Sequence, residues 1–269
     1  MTQMSDNVFQ ASDEIRLTDK GAYAILTIDR EAKRNAMNRS ARNGMLRAME
    51  HAREKYAAIV LTGVGKSFCA GVDLKERAQD VEQGIQGASQ EWADVNIAIR
   101  QHPSIFIAAV NGLALGGGAT LINVCDLAVA AQSVEIGMPE MTFATYPGLA
   151  GPSTQLSLSR KRVAWMMLTA KRISAETAAS WGLLNQCVPD AELLSTAEAL
   201  AAHVAAFEPV ALALSKQALD RIPAAITDWR QAFGYGELVN AAIRQRTGQS
   251  NPFKTAIPPR AVSQAASGS

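Results

Sequence analysis

The apolar residues of this chain fall in short blocks, and no other sequence feature limits its fold as strongly. YAILTI at Tyr23–Ile28, AAIVLT at 57–62, IFIAAV at Ile105–Val110 and DLAVA at 126–130 are too short for core helices and almost free of polar residues. Runs of this kind suit strands covered on both faces, as in a parallel sheet. Helix-compatible segments at 39–56 and 92–102 lie between them, and the alternation predicts an α/β fold. Further short strands are expected around 133–136 and 187–188. Beyond Pro152 the segments 159–169, 174–181, 190–206, 209–222 and 226–246 carry apolar residues at helical spacing. Ser174 and Asp190 are candidate N-caps, and Pro223 is expected to break the last two helices. A chain of 269 residues, 48% hydrophobic, can build such a core without a disulfide or metal staple.

Two glycine turns follow two of these strands. Gly116, Gly117 and Gly118 end the run 105–115 and precede a helix-compatible segment, 119–124. An N–H near Gly117 therefore sits at a helix N-terminus and points outward, with no Cβ to keep a ligand away. SFCAGVDLK at 67–75 follows the run 57–62 and can supply a second exposed N–H. Two such donors converging on one carbonyl oxygen make an oxyanion hole. Downstream, Glu140 stands between Gly137-Met138-Pro139 and the apolar Met141 and Phe143. Apolar surroundings raise a carboxyl pKa, which suits acid–base chemistry. Asp73 and Asp126 read better as capping or loop-fixing carboxylates.

Other chemistries fit poorly. Gly63-Val64-Gly65-Lys66-Ser67 invites a phosphate-loop reading, but Val60 stands where that pattern needs its first glycine. GLALGGG lacks the dinucleotide spacing, and no G-x-S-x-G elbow occurs. His51, His102 and His203 are far apart, and His102, next to Pro103, reads as a structural histidine. Cys69, Cys125 and Cys187 suggest neither a disulfide framework nor a metal site, so a reducing compartment is expected. With 26 basic and 25 acidic residues the net charge is +1, which argues against nucleic acid or a membrane surface as partner. The first residues show no signal-peptide pattern, and a cytoplasmic protein is expected. The small, polar tail 261–269 reads as mobile.

The segments FCAGVDLKE, NGLALGGG, CDLAVA, GMPE and PGLAG, in this order and at this spacing, resemble the crotonase superfamily, the enoyl-CoA hydratase/isomerases, over residues 15–189. The resemblance implies a spiral of β-β-α units in a catalytic core, 1–190, and a helical C-terminal region, 191–269, that assembles a homotrimer or hexamer. It implies an acyl-CoA thioester substrate and no cofactor, since coenzyme A is carried by the substrate. Val72 and Gly117 then supply the oxyanion N–H groups, and Glu140 moves protons. KRNAMN at 33–38 resembles the family's adenosine-side loop, which brings Lys33, Arg34 and Ala36 to the substrate with Ala70, Lys75, Gly116 and Tyr146. The segment 251–254, NPFK, loosely resembles the residues that complete the coenzyme pocket.

One departure bears on the reaction. Hydratases of this superfamily place a glutamate two residues after the triple glycine and another in G-x-P-E; here the positions hold Thr120 and Glu140. Threonine can hydrogen-bond water but cannot exchange a proton near neutral pH. A single carboxylate suffices for a double-bond shift, because one base can take the α proton and return it at the γ carbon. Isomerisation of an enoyl-CoA is therefore the expectation. Hydration with Thr120 positioning water, and a non-catalytic acyl-CoA-binding role, are the alternatives.

Overall fold

The four apolar runs become strands of one sheet. A computed structural model describes residues 7–85 and 87–249. The expectations for 251–254 and for the tail 261–269 lie outside the described residues. The chain runs β1 (Val8–Ser12), β2 (Ile15–Asp19), β3 (Tyr23–Ile28), α1 (Arg39–Ala52), β4 (Ala58–Gly63), β5 (Ser67–Cys69), α2 (Leu74–Glu82), α3 (Ala88–Gln101), β6 (Ile105–Val110), β7 (Leu113–Leu115) and α4 (Gly117–Val124). It continues through β8 (Leu127–Ala131), β9 (Glu135–Gly137), α5 (Ala150–Ser157), α6 (Arg160–Thr169), β10 (Ile173–Ser174), α7 (Ala175–Trp181), β11 (Gln186–Val188), α8 (Leu193–Ala205), α9 (Pro209–Ala225) and α10 (Trp229–Thr247).

The larger sheet has the order β1-β2-β3-β4-β6-β8-β11. Its first three strands are antiparallel and the rest are parallel. Burial explains the sequence pattern. Every residue of β6 is buried, and the register Leu26↔Leu61↔Ala108 carries apolar side chains from strand to strand. Helices α1 and α8 pack on this sheet, so truncating a central side chain such as Leu61 to alanine would cost roughly 2–5 kcal/mol.

The smaller sheet has the order β10-β9-β7-β5, with β5, β7 and β9 parallel. Its carboxyl ends release three segments at one edge: Ala70–Gly71, Gly116–Gly117 and Met138–Glu140. That edge is where open α/β sheets place ligands. Each of these three strands is only three residues long, so what they contribute is placement.

Contacts divide the chain into the units Met1–Lys216 and Gln217–Ser269. Pro223 does not end α9, which runs two residues further, to Ala225. In the last turn its missing N–H removes a single helical bond, and the helix tolerates it there. The interruption comes after Ala225, and Asp228 starts α10 by accepting the Arg230 N–H.

Candidate active site

The first turn is held from outside by the segment after β3. Met37 N–H donates to Gly71 O at 2.8 Å, Asp73 N–H to Met37 O at 3.2 Å, and Ala70 N–H to Arg34 O at 3.0 Å. In this parallel bridge the groups used belong to Gly71 and Asp73, so the N–H of Val72 faces the other way. Gly71, at φ +87°, turns its own N–H onto Cys69 Sγ at 3.4 Å. The clamping segment is fixed in turn by Asn35, which is fully buried: its Oδ1 accepts Arg30 N–H, and its Nδ2 donates to Val64 O and Ser67 O. Asp73 caps α2 by accepting Lys75 and Glu76 N–H at 3.0 and 3.2 Å. Burial opposes its charge, but Arg30, paired at 2.7 Å, and the cap N–H groups hold its pKa below the usual carboxylate range.

The second turn meets the first. Gly116, at φ +51°, precedes α4 and donates to Gly137 O at 2.9 Å. Gly117 is the first residue of α4, so its N–H has no acceptor in the preceding turn of helix. A Cβ on Gly71 would stand 3.0 Å from Gly117 N, and one on Gly118 would stand 2.0 Å from Cys69 O. Close approach of two backbones therefore requires these glycines, and Val72 and Gly117 line one cleft.

Glu140 lies in the short helical turn Pro139–Phe143. Its carboxylate reaches over the second turn, for a Cβ on Gly116 would be 2.4 Å from Glu140 Oε1. The other oxygen, Oε2, is buried with no hydrogen-bond partner among the described residues. Desolvation raises its pKa, and a backbone hydrogen bond only partly offsets this. Such a carboxyl is suited to taking and returning protons.

Both turns and Glu140 face one cleft of about 380 Å³, walled also by Leu74, Arg77, Trp92, Phe143 and Leu149. A mostly apolar cavity with few polar groups suits a small-molecule acyl chain. Of the residues singled out in the sequence, Ala70, Val72, Gly116, Gly117, Glu140 and Tyr146 line it. Tyr146 is exposed, and its hydroxyl accepts Gln155 Nε2 at 3.1 Å. Thr120 is not on the cleft wall; it sits one turn deeper in α4, 2% exposed, with its hydroxyl unpartnered among the described residues. Lys33, Arg34, Ala36 and Lys75 also lie off this wall, the three cations exposed and without a carboxylate partner among the described residues.

Among the wall residues that the sequence did not single out are Trp92 and Arg77. Trp92, Val95 and Ile99 are all buried at helical spacing on α3, so Trp92 could not be told from core. Arg77, one turn into α2, looked like any surface cation. Asp126 does fix structure: it accepts Phe106 N–H and pairs with buried Lys216, both at 2.8 Å. His102 is structural as well. Its Nδ1 accepts Ser104 N–H and its Nε2 donates to Met49 O, while burial lowers its pKa to about 4.

Two backbone donors without an acceptor among the described residues, beside one desolvated carboxylate, make up a class of site suited to holding an oxyanion next to a carbonyl while a proton moves. The comparisons narrow that class: the model of the enoyl-CoA hydratase/isomerase family matches residues 18–232, and the chain belongs to this family. It is 33% identical over 234 residues to a short-chain-enoyl-CoA hydratase of Clostridium acetobutylicum, covering 82% of this chain and 88% of that protein. It is 32% identical over 211 residues to the 2,3-dehydroadipyl-CoA hydratase of Escherichia coli, covering 77% and 81%. Among solved structures, an enoyl-CoA hydratase from Bacillus anthracis superposes with a TM-score of 0.82 at 28% identity, covering 87% of this chain and 92% of that one.

Proposed function

We propose that the protein binds an acyl-CoA thioester and shifts its double bond through an enolate. One observation carries this reading: Glu140 is the one carboxylate on the cleft wall among the described residues, and it stands beside the free Val72 and Gly117 N–H groups. Glu140 removes a proton from the α carbon of a 3-enoyl thioester. The electron pair moves onto the thioester oxygen, which the two N–H groups hold. The protonated Glu140, whose carboxyl proton exchanges with solvent while the enolate is held, then delivers a proton to the γ carbon, leaving a 2-enoyl thioester and an ionised Glu140. No resident cofactor enters, because coenzyme A arrives with the substrate; exposed Lys33, Arg34 and Lys75 are the cations offered to its phosphates.

A second reading, hydration, is supported by the names of the relatives, most of which are hydratases. It needs a group to hold the water, and Thr120 is set back from the wall. Incubation with 2-enoyl-, 3-enoyl- and 3-hydroxyacyl-CoA thioesters in heavy water separates the readings. Deuterium at the α and γ carbons with migration of the double bond supports isomerisation, and net gain or loss of water supports hydration. Binding with no exchange at any carbon overturns both and leaves a binding protein.

The assembly belongs to the same proposal. α10 has no buried residue, and Trp229, Phe233 and Leu238 are exposed on it. Large apolar side chains in that state are suited to covering by another copy of the chain. A trimer or hexamer is expected by analytical ultracentrifugation at micromolar protein, and a monomer refutes it.

A further inference from the structure

Five buried side-chain polar atoms lack a partner among the described residues, and two of them belong to residues of the cleft wall: Glu140 Oε2 and Trp92 Nε1. The proposed chemistry uses the first. Nothing in it uses the second. An indole N–H can only donate, and it cannot rotate to another acceptor as a hydroxyl can. Trp92 is 1% exposed, so its N–H has been stripped of water without compensation, and such a group in a folded protein calls for an explanation.

Its placement supplies one. A Cβ on Gly117 would stand 2.7 Å from Trp92 Nε1, so the indole lies against the residue whose N–H faces the thioester oxygen. Glycine there places no side chain against Nε1. The α3 turn is also anchored, because Asn96 Nδ2 donates to Trp92 O at 2.6 Å. A cleft made for a plain hydrocarbon chain gains nothing from a fixed, dry donor beside the reacting carbons.

Resting on the acyl-CoA reading above, we propose that the Trp92 indole N–H, set against Gly117 in the same cleft as Glu140, recognises an oxygen atom borne by the acyl chain. The preferred substrates are then acyl-CoA thioesters with a hydroxyl or carbonyl oxygen close to the α carbon. Sites built to hydrogen-bond a substrate oxygen discriminate strongly against analogues that lack it, because the protein group is then buried unpaired. Trp92 is a specificity residue in this account, and the proton transfers remain with Glu140.

The test replaces Trp92 with β-(3-benzothienyl)alanine, which keeps the bicyclic shape and substitutes sulfur for the N–H, with Trp92→Phe as a second variant. The kcat/KM values of wild type and variants are compared for a 3-hydroxyacyl-CoA and for the saturated acyl-CoA of equal length, using α-deuterium exchange as the common readout. The wild type is expected to favour the oxygenated thioester, and the analogue to reduce that preference about tenfold to a hundredfold. An unchanged preference in a folded variant overturns the proposal. So does an equal loss on both thioesters with a shifted pH profile, which would make the indole a partner of Glu140. Failure of the wild type to exchange with any thioester would instead remove the enolate chemistry on which the proposal rests.

Discussion

Replacing Gly116 with alanine puts a methyl carbon 2.4 Å from Glu140 Oε1, where ordinary contact begins near 3.4 Å. The carboxylate must retreat by about 1 Å, since the methyl is fixed to the backbone and the side chain is the movable partner. Misplacement of a reacting group by about 1 Å costs on the order of a hundredfold in rate. Alanine at φ +51° also strains the backbone by about 1–3 kcal/mol. In a chain of this size that lowers Tm by roughly 2–4 °C per kcal/mol. Gly21→Ala is the control: φ there is +82° and a Cβ would meet nothing within 4 Å. Both variants are expected to lose comparable stability by differential scanning calorimetry, whereas only Gly116→Ala loses the hundredfold in deuterium exchange per active site. Equal exchange rates for the two folded variants would refute the placement of Glu140 over the second turn.

Glu140→Gln is expected to stabilise the fold as pH rises. The folded-state pKa of Glu140 is raised by desolvation, so below the ordinary carboxyl value of 4.5 both states are protonated and the substitution changes little. Above it the unfolded chain ionises freely while the folded chain resists, so wild type loses stability until pH passes the raised pKa. The Tm difference between variant and wild type should therefore grow across that window and then level off, and a difference independent of pH would count against a desolvated Glu140. Lys216→Met should destabilise by about 3–5 kcal/mol, because it strands the buried Asp126 carboxylate and frees Ile99 O and Ser104 O, both 3.0 Å from Lys216 Nζ. Urea denaturation measures this, and a change under 1 kcal/mol would show that the pair contributes little.

The sequence disclosed the large sheet better than the small one, for a physical reason. Tyr23–Ile28 and Ile105–Val110 are covered on both faces and therefore read as uninterrupted apolar runs. β5, β7 and β9 are three residues each, below the length at which any periodicity shows. The site followed the same division. The turns and Glu140 were legible because glycine and a carboxylate framed by apolar residues have few other uses in that order. The antiparallel β1 and β2, the buried Asn35 clamp and the Trp92 N–H were not, since each depends on what lies against it in space. Pro223 misled because its cost depends on its place in the helix, which composition does not reveal.

The account turns on one proton path, from the α carbon of a thioester to Glu140 with the charge held by the Val72 and Gly117 N–H groups. Its most direct test is α-deuterium incorporation into the responsive acyl-CoA in heavy water, wild type against Glu140→Gln, with coenzyme thioester affinity measured alongside by calorimetry. Glutamine keeps the size and hydrogen bonding of the side chain and removes proton exchange. The account predicts exchange abolished and affinity within a few-fold of wild type, whereas exchange at the wild-type rate in Glu140→Gln would contradict it.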